Sequence, residues 1–309
     1  MTDSEHSLTP SLVRTILQEE ELPLRRGSVD PETAAAVLRY GAPVGAVIER
    51  YPRLGRGMEY ARHIIGEAEA QDRSFATGTA IVAGELTSGK GRFQRSWHAP
   101  LGGLWLTLVL VNTLLPVSTR LYPFAAGLAC CEALRGYGID ARLKWVNDVH
   151  VGGRKLVGVL IETLIGPRFG EEYVLIGVGV NVNNLEFPQE LSGLAVSMRT
   201  LLGREIGLDL FAARLLAKLA WNVGLLHYEE QTQLAADDGE SDNRSSLLAA
   251  WRAHSDTLGR RVRFGFDVQQ RPQYEARAVE LTTDGALILR VLPDGPLVTE
   301  QAGEIVYLD

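Results

Sequence analysis

Lys144-Trp145-Val146-Asn147-Asp148, followed beyond Gly152-Gly153 by Arg154-Lys155-Leu156-Val157-Gly158-Val159-Leu160-Ile161-Glu162, is the stretch on which the reading of the chain turns. Its apolar runs read as short strands around Leu143–Trp145 and Val149–Val151 and a longer one over Val157–Leu164. Paired glycines between them predict a tight hairpin turn, whose central residues need φ above zero. Side chains alternate along a strand, so Lys144 and Trp145 face opposite ways. The hairpin returns Lys155 towards Asn147 and Asp148. A lysine beside a carboxylate and an amide is most often a salt-bridged hairpin end, and spacing alone leaves that reading open.

Outward from this hairpin the chain alternates helix and strand signals. Met58–Glu69 has amphipathic spacing, with Tyr60, Ile64 and Ile65 as its apolar stripe. Thr79–Gly84, Leu104–Val111 and Tyr173–Asn183 read as strands, and Tyr122–Leu134 and Phe211–Tyr228 as helices. Gln231–Ser246 is polar and acidic, the composition of a linker. A short helix around Leu247–His254 precedes Gly259–Leu308, whose alternating residues and Asp284-Gly285 and Asp294-Gly295 turns read as a small β-barrel. Residues 1–43 read as an extension with a short helix near Ser11–Glu21 that packs on the main domain or frays. The expected division is an extension over 1–43, a mixed α+β domain over 44–246 and a barrel over 247–309.

The 309 residues carry 31 lysines and arginines against 38 aspartates and glutamates, a net charge of −7. An acidic chain without a basic run argues against a nucleic-acid partner, which needs clustered cations for phosphate. Residues 1–43 are also too short and acidic for a DNA-reading winged helix. Adjacent Cys130 and Cys131 sit in an apolar helix and suggest neither disulfide framework nor zinc site, so a reduced, cytoplasmic setting is expected. The apolar run Leu101–Val111 is too short to span a bilayer, and no membrane association is expected.

Two further motifs bear on chemistry. Gly84-Glu-Leu-Thr-Ser-Gly89-Lys90-Gly91 nearly fits a P-loop, but Gly91 replaces the metal-binding hydroxyl. The chain then runs on through Pro100 and two glycines, not into the helix whose N-terminus receives phosphate. What remains is a glycine loop with Lys90, Arg92 and Arg95 and free N–H groups at Gly89 and Gly91. It suits a polyanion, or is a solvated basic turn. Gly177-Val-Gly179-Val-Asn181-Val-Asn183 lacks the helix of a dinucleotide fingerprint. Its glycines mark close backbone approach, and Asn181 needs a partner from ligand or backbone.

Taken together and in order, these motifs resemble the biotin–protein ligases. The family's GRGRxGRxW matches Gly89-Lys-Gly-Arg-Phe-Gln-Arg95-Ser-Trp97. Its KWPND…RKLxGIL-E matches the opening stretch, its GxGxNVN matches Gly177–Asn183, and its terminal G-E-[I/V] matches Gly303-Glu304-Ile305. The resemblance implies a class II synthetase-like α+β ligase domain with an SH3-like barrel. It implies ATP and Mg²⁺, biotin as the acid, and a biotin carboxyl carrier protein or similar domain as partner. A homodimer is open, since sheet-edge pairs occur in the family.

By the same resemblance Lys155 joins carboxylate and α-phosphate, Arg92 and Arg95 close over the adenylate, and Lys90 with the Gly89 and Gly91 amides supports it. Trp97 packs on adenine, Lys144 adds positive potential, Asn147 and Asn181 serve nucleotide or metal, and Asp148 orients the carrier lysine. Catalysis would rest on Lys155, Arg92 and Asp148. The acid-pocket positions depart from the family. Its D-S-T-N aligns with Gly55-Arg56-Gly57-Met58 and its Gln with Leu86, while Gln94 and Val146 replace a loop glycine and a proline. Each unpaired buried polar group costs about 1–3 kcal/mol, so a second expectation is a paralogue that activates another acid, with Arg56 reading a second carboxylate. The third is a non-catalytic binding protein.

Overall fold

The structure, a computed structural model, describes residues 7–236 and 245–309. Its helices are α1 (Pro10–Ile16), α2 (Leu22–Arg25), α3 (Pro31–Gly41), α4 (Gly57–Ala70), α5 (Pro116–Thr119), α6 (Tyr122–Arg135), α7 (Met198–Leu202), α8 (Leu208–Ala235) and α9 (Ser246–His254). Its strands are β1 (Val47–Leu54), β2 (Thr79–Leu86), β3 (Leu104–Val111), β4 (Arg142–Lys144), β5 (Asp148–Val151), β6 (Arg154–Ile165), β7 (Glu172–Val180), β8 (Arg261–Gly265), β9 (Tyr274–Leu281), β10 (Leu287–Val291), β11 (Leu297–Glu300) and β12 (Glu304–Tyr307). The first seven strands form one sheet in the order β1-β2-β3-β7-β6-β5-β4. β1 and β2 are parallel, with α4 as the crossover, and the remaining neighbours are antiparallel.

Period-two alternation splits this sheet into two working faces. Leu104, Leu106, Leu108 and Leu110 of β3, with Val174, Ile176, Val178 and Val180 of β7, join α6 and α8 in the main core. Cys130 and Cys131 are packed there, and burial raises both thiols, Cys131 to about 12, so they act as small apolar residues. On the opposite face Val109, Tyr173 and Leu175 meet Met58, Ala61 and Ile65 of α4. Of the expected stripe, Ile65 is buried, while Tyr60 and Ile64 lie half-buried along its flank. Each large side chain withdrawn from water this way is worth roughly 1.5–3 kcal/mol.

Residues 10–41 cover the outer side of α8 instead of fraying. A Cβ on Gly41 would stand 2.0 Å from the Ala220 carbonyl oxygen, and one on Gly224 2.1 Å from that of Val37, so two glycines set the closeness of α3 and α8. Buried charges pin this layer. Arg25 pairs with Glu132 at 2.6 Å, and Lys218 with Glu21 at 2.7 Å. The helix α3, the edge strand β1 and the short helices α2, α5 and α7 stand outside the sequence expectations. The helix α8 also runs on to Ala235, into the segment read as linker, whose Ser245 and Ser246 cap and open α9, while its residues 237–244 lie outside the described residues.

The last strands form a five-stranded antiparallel sheet, β11-β10-β9-β8-β12, the barrel expected from the sequence. α9 leads into it while packing on α6, α8 and β4. No described helix is long and apolar enough to cross a membrane.

Candidate active site

The floor of the site is a patch of the α4-facing side of the sheet. Ile81, Thr107, Gly177 and Leu160 are successive cross-strand partners. A second row runs Ala83, Trp105, Gly179, Gly158, Asp148 and Lys144, from β2 to β4. All these residues line a cavity of about 900 Å³. The glycines make its depth. A Cβ on Gly179 would come 2.6 Å from the Trp97 Nε1, and one on Gly158 2.8 Å from the same indole. Gly179 of the GxGxN strand therefore serves close approach by a side chain of the basic loop, while Gly177 of the same strand makes room for Met58, 2.9 Å from a Cβ there.

The hairpin closes as its sequence predicts. Gly152 and Gly153 take φ of 55° and 77°, and a register shift between Val149 and His150 brings Lys155 back beside Asp148. The Lys155 Nζ lies 2.6 Å from the Asp148 Oδ1 and 5.3 Å from the Trp97 ring. Burial works to raise the Asp148 pKa, but Lys155, then Lys144 and Arg92, outweigh it and hold the carboxyl below its ordinary range. Burial pulls the Lys144 ammonium below the usual lysine value, with Asp148 opposing. The Arg92 guanidinium is lowered for the same reason, against Glu304 and Asp148.

The basic loop is a narrow hairpin around a 3-10 turn at Arg92–Gln94. Trp97 N–H donates to the Gly89 oxygen at 2.9 Å and Gly91 N–H to the Arg95 oxygen at 2.8 Å. This corrects the expectation of a free amide at Gly91, because closing the loop on itself consumes it. Gly89 is not among the cavity-lining residues; every other residue expected at the site is. Arg92 donates to the Asn147 Oδ1 at 3.2 Å and to the Gly303 oxygen at 2.7 Å. Arg95 donates to both Glu304 carboxylate oxygens, at 2.8 and 2.7 Å. The G-E signature of the barrel thus seats the loop's two arginines. Asn147 also donates to the Val159 oxygen. Asn181 is buried, and its side chain accepts from Asn184 Nδ2 at 3.1 Å, a partner neither ligand nor backbone.

The far end of the cavity is apolar. Leu54, Met58, Ile81, Ala83, Leu86, Trp105 and Leu160 line it. Gly57 leaves room for Thr107, whose hydroxyl oxygen would stand 2.3 Å from a Cβ there. Arg56 is held by Glu162 and, at 3.5 Å, by Glu59, while Arg62 pairs with Glu162 at 2.8 Å. Arg56 is therefore paired with two carboxylates of the chain itself. Thr107, His150, Asp256, Arg260 and Tyr307 also line the cavity and were missed from sequence. Thr107 carried one signal, a hydroxyl in an otherwise apolar strand.

Residues 68–181 match the Biotin/lipoate A/B protein ligase family. Over 247 residues the chain is 30% identical to the biotin–[acetyl-CoA-carboxylase] ligase of Mycobacterium tuberculosis, covering 78% of this chain and 83% of that one. The chain belongs to the biotin–protein ligase family. It is 33% identical over 142 residues to the bifunctional ligase/repressor BirA of Bacillus subtilis, where the match spans only 43% of that relative's length. Among solved structures, a biotin protein ligase from Aquifex aeolicus in complex with biotin and ATP superposes with a TM-score of 0.64 at 22% identity. It covers 84% of this chain and 98% of its own. At that identity the likeness concerns the fold, a biotin–protein ligase domain followed by an SH3-like sheet.

Proposed function

We propose that this biotin–protein ligase homologue joins a carboxylic acid to AMP from ATP, releasing pyrophosphate, and then passes the acyl group to a lysine of a carrier domain. Kinship makes biotin the acid and a biotin carboxyl carrier protein the acceptor. The observation that carries the reading is the Lys155–Asp148 pair over a glycine floor, with Arg92 on Asn147 beside it.

A carboxylate and an α-phosphate repel each other, and a fixed cation between them offsets that repulsion as charge builds in the transition state. Lys155 is the cation so placed. Arg92 and Arg95 close the loop side, and exclusion of water there protects a hydrolysable mixed anhydride. Asp148, held ionised, supplies the negative charge that orients an incoming lysine ammonium. The cleft fits ATP by size and charge, and Trp97 gives it a flat apolar wall. Among the described residues no three His, Cys, Asp or Glu side chains converge on a metal. Magnesium ordinarily sits mostly on substrate phosphates and water, and would here neutralise the pyrophosphate.

The test is biotin-dependent exchange of pyrophosphate into ATP, followed by labelling of a carrier domain. Exchange that requires biotin supports the reading; none with biotin, but exchange with another acid, replaces the acid and leaves the chemistry. That second outcome has its own support in the apolar end of the cavity.

A further inference from the structure

Two lysines of the cleft, Lys90 and Lys144, make no side-chain hydrogen bond or ion pair among the described residues, and Lys144 is the buried one of the two by its lowered ammonium pKa. Asp148, Glu304 and Asp256 act on the Lys144 ammonium only through space, and the Tyr307 ring lies 5.2 Å from it. That ring is fixed with unusual thoroughness. The Tyr307 hydroxyl donates to the Asp256 Oδ1 at 2.8 Å and lies 3.0 Å from the Thr257 Oγ1. Asp256 is itself held by His150 at 3.0 Å and Arg260 at 3.4 Å, and Thr257 accepts from the Trp145 amide at 3.0 Å. The Arg260 guanidinium lies 5.0 Å from the same ring. A cation on the wall of a desolvated cleft is costly unless an anion completes it, and an aromatic face steadies it meanwhile.

We propose that Tyr307, on the last strand of the barrel, is a positioning residue that holds Lys144 as a second phosphate-binding cation of the cleft. The proposal rests on the nucleotide reading of this site. It makes the barrel part of the nucleotide site through its ring as well as through Glu304. The hydroxyl fixes where the ring stands, while the ring itself does the positioning.

The experiment is calorimetric titration of a non-hydrolysable ATP analogue into the full chain and its variants. Tyr307→Phe keeps the ring and should bind within about twofold of wild type, whereas Tyr307→Leu should bind about tenfold more weakly, in line with a partly desolvated cation–π contact. Lys144→Met should match the leucine variant, and the double variant should be no weaker than Lys144→Met alone. Tyr307→Trp, which enlarges the face, should bind at least as well as wild type and serves if the leucine variant fails to fold. Equal weakening by Phe and Leu, or full additivity with Lys144→Met, would overturn the proposal and leave Tyr307 as a strut between the sheets. Absence of analogue binding by the wild type would overturn the nucleotide reading itself, a separate result.

Discussion

The row of partners from Ala83 to Lys144 crosses one sheet, yet its two ends present opposite surfaces. At the β4–β5–β6 end Lys144, Asp148 and Lys155 crowd together beside Arg92. At the β2–β3 end Ala83 and Trp105 meet Leu54 and Leu86 in a small apolar cluster. At the charged end Lys155, Lys144 and Arg92 together hold the Asp148 carboxyl below its ordinary range against burial. The apolar end offers Thr107 as a side-chain hydroxyl and an arginine already occupied by Glu162. The charged half therefore carries the groups that the proposed adenylation needs, while the other half is largely apolar. Charge placement is demanding in position, because a phosphate has to meet several cations at once. An apolar wall can change by substitution, each step altering which acid fits and not whether adenylation proceeds.

The contrast is broken most severely at the charged end. Lys155→Ala should lower single-turnover adenylate formation by about 10²–10³, the cost typical of removing one preorganised charge-stabilising group, with acid affinity changed far less. A rate loss under tenfold would mean that Lys155 is only the hairpin's salt bridge. The apolar end is sharpened by Leu86→Gln, which places an amide at the position that the sequence resemblance aligns with a glutamine. It should tighten biotin binding about tenfold by titration, one hydrogen bond's worth to a buried polar group. No change would show that the distal end of the acid lies elsewhere. The smallest effect concerns pH. A lowered Lys144 pKa means that its proton leaves as pH rises, before the ordinary lysine value of ~10.4. Affinity for the ATP analogue should therefore fall on the alkaline side below that value. Asp148→Asn removes the carboxylate that opposes the shift and should move the fall to lower pH. A fall unmoved by Asp148→Asn would uncouple the two residues.

What could be read from sequence follows how locally each feature is encoded. β3 is a run of eight apolar-rich residues in which only Thr107 is polar, and its expected bounds are its actual ones. The hairpin is written in two glycines, so Lys155 beside Asp148 could be foreseen. β1 reads VIERYPRL, with Glu49, Arg50, Pro52 and Arg53 breaking any alternation. It tolerates them because it is an edge strand, one side facing solvent and free of the ladder. α3 had a usable signal that went unused: Asp30 caps it and Pro31 opens it, with Asp30 accepting from the Glu32 and Thr33 amides. Tyr307 and Asp256 lie 51 positions apart, on the barrel and on the link before it. No local spacing announces such a pair; only the docking of the barrel on the hairpin brings it together.

Trp97 carries a consequence of another kind. Its indole lies against bare glycine backbone, its Nε1 is buried without a hydrogen-bond partner, and the Lys155 charge stands 5.3 Å from the ring. Its emission is thus exposed to two influences that a bound adenylate would alter together, an acceptor for the orphaned N–H and the position of a neighbouring charge. On the proposed function, Trp97 gives the protein its own fluorescent gauge of occupancy.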